Sequence, residues 1–92
     1  MATNPLEEQE LEVDVTTQEP AKVILFNDDV HTFDEVIVQL MKALRCAEHK
    51  AEALAMEVHT NGRAVVYAGE ILQCMEVSHI LEEIRLLTQI EV

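Results

Sequence analysis

Tryptophan is absent from this 92-residue chain, and phenylalanine and tyrosine supply only three side chains between them. Any core it builds must therefore be aliphatic. Basic residues are scarce: six Lys and Arg stand against eighteen Asp and Glu, for a formal net charge of −12. Nucleic acid and anionic lipid both call for a basic face, so neither is an expected partner. Apolar runs fall well short of the roughly 20 residues needed to cross a bilayer. The N-terminus also lacks the basic-then-apolar order of a secretory signal, so the expected location is cytoplasmic. The two cysteines, Cys46 and Cys74, form no CxxC pair and read as ordinary helix-face thiols. No internal repeat is visible, and the length suits one small domain.

Residues 1–20 carry six acidic and no basic residues, with prolines at positions 5 and 20. They are expected to form a disordered acidic extension, leaving 21–92 as the folded domain. Within that domain the apolar run Val23-Ile24-Leu25-Phe26 predicts a strand over 22–26, buried on both faces. Thr32-Phe33-Asp34-Glu35 is a capping-box pattern opening a helix over about 33–45, with Gln39, Lys42 and Arg45 on its wet side. A second helix is expected over 48–59, turning its Ala51, Leu54, Ala55 and Val58 face inward. Asn61-Gly62 ends it with a left-handed cap. A strand over 63–67 is broken by Ala68-Gly69, and a third helix over 70–85 is expected to bury Ile71, Met75, Ile80, Leu81 and Ile84. A last strand covers 86–92. The order βααβαβ predicts an α+β fold, a two-layer α/β sandwich with a small three-stranded sheet against helices.

Between the first strand and the first helix lies Asn27-Asp28-Asp29, three short polar side chains at a mouth between rigid elements. Such a cluster offers mainly acceptors, and its complement is a cation with several donors: an ammonium group or a metal ion. Apolar Val30, Phe33 and Val36 beside it point to a ligand with a cationic head and an apolar side. Two readings fit these residues alone, an Asx-turn that caps the helix and a ligand site. His59 is open in the same way, since a histidine near a helix C-terminus serves equally to interact with the last carbonyls.

Taken in order, the NDD after an apolar strand, the Thr32-Phe33 helix start and the Val58-His59-Thr60-Asn61-Gly62-Arg63-Ala64 stretch resemble the ClpS family, adaptors that deliver N-degron substrates to Clp-type AAA+ proteases. The resemblance spans about 21–92. It implies that Asn27, Asp28 and His59 hold the α-amino group of a substrate's first residue, with Asp29 supporting the loop. That role is chemically reasonable, because a protonated α-amine has three donors while an internal peptide group has one. The resemblance further implies that His31, Phe33, Val36, Ala55, Val58 and Leu86 line a pocket for the first side chain. It makes Glu70 the contact to a ClpA-type or ClpC-type ATPase, and gives the acidic extension a part in substrate hand-off. Phe33 stands where the family often has Met and His31 where Thr is common. Ala55 replaces a larger residue, often Met, that crowds the pocket against β-branched side chains. Met56, the next residue, is expected to point about 100° away.

The implied protein is a monomeric binding module with no catalysis, no cofactor and no metal. Two alternatives come from other classes. The C-terminal domain of the ribosomal stalk also reads βααβαβ, though it typically has lysine-rich helices and several glycines, against three lysines and two glycines here. A metal-dependent hydrolase would use Asp28, Asp29, His31 and His59, but there is no HExxH-like spacing and no nucleophile with a paired base.

Overall fold

The structure, a computed structural model, describes residues 20–92, so the expected extension over 1–20 lies almost wholly outside the described residues. Strand β1 (Ala21–Phe26) runs through the middle of a three-stranded sheet of order β2-β1-β3, antiparallel to both neighbours. Ala21, Val23 and Leu25 on one face of β1 are buried in the core, whereas on the other face Lys22 is exposed, Phe26 half-buried and Ile24 buried outside the core cluster, so the expected burial on both faces holds fully for one. Two helices, α1 (Phe33–Leu44) and α2 (Glu48–Asn61), lead to β2 (Arg63–Gly69), and α3 (Ile71–Glu82) leads to β3 (Thr88–Glu91). β2, α3 and β3 thus form a crossover with β1 inserted between its two parallel strands. The register slips between Val23 and Ile24 on the β2 side, the signature of a β-bulge. The largest fully buried side chains are Leu25, Leu40, Leu81, Val23 and Cys74, an aliphatic core that contains no aromatic residue. Among the described residues no helix is long and apolar enough to cross a membrane.

Local signals hold at the starts of elements. Thr32 accepts from the Glu35 N–H at 3.1 Å while Glu35 Oε1 accepts from the Thr32 N–H at 2.8 Å, a complete capping box. Gly62 closes α2 with φ 87°, its N–H donating to the Val58 carbonyl. Element ends and helix faces depart from expectation. β2 does not break at Ala68-Gly69 but continues through both, because Lys22 and Ala21 pair with them. α3 stops at Glu82, and its inner face is Cys74, Val77, Ser78 and Leu81 rather than one set by Ile71 and Met75, which are 43% and 52% exposed. The two choices differ in rotation, and Ser78 can turn inward because its hydroxyl pairs with Thr88 Oγ1 at 2.6 Å. Gln39, expected on the wet side of α1, is only 6% exposed. Its Nε2 donates to the Ile80 carbonyl at 2.6 Å and to Glu83 Oε1 at 3.2 Å, so the buried amide docks α1 onto the end of α3.

Candidate functional site

The chain leaves β1 at Asn27, whose backbone N–H donates to the Gly62 carbonyl at 2.9 Å. That bond ties the acidic turn to the end of α2, and so brings Asn27 and His59 to one mouth across 32 positions of sequence. Between them opens a cavity of about 460 Å³, ample for a single side chain. Leu25 and Phe26 from β1 form one wall, with Phe33 and Val36 from α1 and Ala55, Met56, Val58 and His59 from α2 around it. Asn27, Asp28, Asp29 and His31 complete the rim. The lining is thus mostly apolar, and its polar members come from the turn after β1 and the last turns of α2.

Asp28 is the hub of the turn. Its Oδ1 accepts from the Val30 and His31 N–H groups at 3.0 and 2.9 Å, and its Oδ2 pairs with His31 Nδ1 at 2.7 Å. The loop-supporting part expected of Asp29 therefore falls to Asp28, while Asp29 lies exposed on the rim. A carboxylate offers about four lone-pair sites, so Asp28 retains capacity toward the cavity. The other ring nitrogen of His31, Nε2, faces the Ile84 carbonyl in the link between α3 and β3. The His31 backbone N–H, followed by the His31 side chain, holds the Asp28 carboxyl below its ordinary value of 3.8. The Asp28 carboxylate, followed by the Ile84 carbonyl, holds the His31 imidazole above its ordinary value of 6.5. The signs follow from linkage. The Asp28 contribution to folded stability is present above its unfolded value and lost as pH falls through the lowered one. The His31 contribution is full below its unfolded value and lost as pH rises through the raised one.

Eight of the nine residues expected in the recognition site share this cavity: Asn27, Asp28, His59, His31, Phe33, Val36, Ala55 and Val58. Leu86 does not line it. At 4% exposure it is packed in the core ahead of β3, which begins only at Thr88. Glu70 is apart from the cavity, exposed at the N-cap of α3 with no side-chain cap bond. Leu25, Phe26 and Met56 were not foreseen as lining residues. The first two precede Asn27 directly, and their position was a usable signal. Met56, expected to point away, lines the cavity while half exposed. Among the described residues no three His, Cys, Asp or Glu side chains converge as metal ligands, and both His31 nitrogens already face acceptors.

Residues 16–86 match the family model described as "ATP-dependent Clp protease adaptor protein ClpS". The chain is 39% identical over 72 residues to the ClpS adapter protein of Corynebacterium aurimucosum, covering 76% of this chain and 64% of that protein. It is 34% identical over 77 residues to the human E3 ubiquitin-protein ligase UBR2, covering 80% of this chain but spanning only 4% of that protein's length. Among solved structures it resembles Agrobacterium tumefaciens ClpS2 bound to L-phenylalaninamide, with a TM-score of 0.74 and 25% identity, over 79% of this chain and 95% of that one.

Proposed function

This chain belongs to the ClpS family, and on that premise we propose that it is an N-degron adaptor: it holds the free α-amine and bulky apolar first side chain of a substrate and delivers it to a Clp AAA+ ATPase. The observation that carries the proposal is the pairing of polar acceptors with an apolar cavity at one mouth. Asn27, Asp28 and His59 receive the ammonium donors, directly or through water. Phe33, Val36, Ala55 and Val58 enclose the side chain. L-phenylalaninamide, the ligand of the Agrobacterium relative, is chemically the first residue of a chain: a free α-amine, a benzyl group and a blocked carboxyl. The segment also recurs as 4% of a ubiquitin ligase. A module shared between an adaptor and a ligase suits a task both require, namely holding a substrate rather than transforming it. Glu70, exposed at the N-cap of α3, is the proposed contact to a ClpA-type or ClpC-type ATPase. The ribosomal-stalk and hydrolase readings gain no comparable support.

Fluorescence anisotropy with peptides that differ only at residue one tests this. Peptides beginning with Phe and Leu bind, whereas Ala, Lys and N-acetylated Phe do not. Acetylation removes the charge and leaves one donor, which costs roughly 1.5–3 kcal/mol for each charge-assisted bond lost. Equal binding of free and acetylated Phe peptides would overturn the proposal.

A further inference from the structure

We propose that His31, doubly protonated, is the positioning residue of the amine site, tying Asp28 to the Ile84 carbonyl and so holding the turn at Asn27 and Asp28 in the pose that receives an α-amine. This rests on the adaptor reading and goes beyond it by giving recognition a built-in response to pH. Nδ1 of His31 faces Asp28 Oδ2 at 2.7 Å and Nε2 faces the Ile84 carbonyl. Both partners are acceptors, and a neutral imidazole has only one N–H to donate. Only the imidazolium satisfies both, so deprotonation must break one link and leave a lone pair facing an oxygen.

The backbone is arranged for the same contact. Arg85 holds φ 68°, a left-handed conformation unusual for a residue with a Cβ. That torsion orients the preceding peptide group, whose carbonyl is the one His31 meets. The bonds from Val30 and His31 N–H to Asp28 keep the turn's internal shape without the ring. What His31 adds is the placement of that turn against the α3–β3 link, which is 53 positions away in sequence.

The charged groups around the ring are Asp28 and Asp29 in the turn, Glu35 in α1 and His59 across the cavity, with Glu83 and Arg85 flanking Ile84 in the chain. Losing the His31 charge also unmasks the Asp28 carboxylate, which would attract an ammonium group. That attraction is screened at the solvent-facing rim and is worth up to about fivefold. A charge-assisted hydrogen bond is worth roughly ten- to a hundredfold in its own equilibrium. Positioning therefore prevails.

The test is anisotropy titration of a labelled Phe-first peptide from about pH 5.5 to about pH 9 on the full chain, His31→Thr and His31→Gln. The peptide amine itself deprotonates near pH 7.7–8, and His59 is common to all three proteins, so the readout is the ratio of variant to wild-type Kd. At acidic pH the variants bind roughly three- to tenfold more weakly, and the ratio falls toward one as His31 deprotonates. A ratio independent of pH overturns the proposal, whereas no binding by any protein at any pH overturns the adaptor reading itself. Ring 15N NMR on the wild type needs neither ligand nor variant. It is expected to show both His31 nitrogens protonated to a higher pH than in a free imidazole, with the Val30 and His31 amide shifts titrating in step. A ring that loses its second proton no later than a free imidazole does overturns the proposal even if peptides bind.

Discussion

At position 55 a methyl group is all that this chain contributes to a cavity wall bounded by Phe33, Val36 and Val58. Ala55 is buried at 3% exposure, so a larger side chain there must project into the cavity or displace a neighbour. Met56 lies at the rim, where it can swing aside into solvent. On the adaptor reading, so small a wall residue leaves room beside the bound first side chain at its Cβ, where Ile and Val are broad and Leu and Phe are not. Ala55→Met is therefore expected to weaken Ile- and Val-first peptides by roughly tenfold while sparing Leu and Phe, a discrimination within the range that one or two methyl-sized clashes supply. Anisotropy on paired peptides checks it. If both proteins bind Ile and Val equally, Phe33 already limits the pocket and Ala55 does not set selectivity.

The helices owe their boundaries to a few backbone decisions. α1 and the segment after α3 each place an arginine in the left-handed region, Arg45 at φ 55° and Arg85 at φ 68°. A residue with a Cβ loses about 1–2 kcal/mol there, while glycine loses roughly 0.5–1 kcal/mol more chain entropy on folding. Arg85→Gly is thus expected to stabilise the fold by about 0.5–1 kcal/mol, seen as a higher urea midpoint with an unchanged m-value. A lower midpoint would mean that the arginine side chain contributes more than its backbone costs. Between the helices, Gln39 joins α1 to α3 through the Ile80 carbonyl and Glu83, and the exposed Lys42–Glu83 pair at 2.8 Å lies beside it. The buried amide carries more of that junction than the surface ion pair, which salt screens.

For the molecule as a whole, one sheet face and three helices share a single aliphatic core, with Leu25, Leu40 and Leu81 at its centre. A domain of this size has little stability to spare, at about 0.05–0.15 kcal/mol per residue. Leu40→Ala removes a side chain with no exposed surface, and the cavity it leaves should cost about 3 kcal/mol, within the usual 2–5. Urea unfolding followed by circular dichroism measures this, and a loss under about 1 kcal/mol would show that the core collapses around the gap. Peptide affinity of the folded fraction should stay the same, because Leu40 does not line the cavity beside Asn27.

The sequence by itself determined the element order, the place of β1 as a core strand, the capping box at Thr32, the inner face of α2 and the family. Each of these is written in a short window, where side-chain type and spacing act on the chain directly. It also named most of the residues that meet at the cavity, although only through a family pattern, since nothing local says that Asn27 and His59 are neighbours. Tertiary structure decided the rest. The rotation of α3 turned on whether Ser78 would find Thr88, and the burial of Gln39 on the second lone pair of the Ile80 carbonyl, which also accepts the Glu83 N–H. The extra length of β2 depended on partners in β1. Leu86 went to the core because β3 starts late, and His31 gained its second acceptor from a link 53 positions away. A polar side chain can be buried wherever a distant partner satisfies it, and hydrophobic periodicity carries no record of that partner. The protonation state of His31 belongs wholly to this second class.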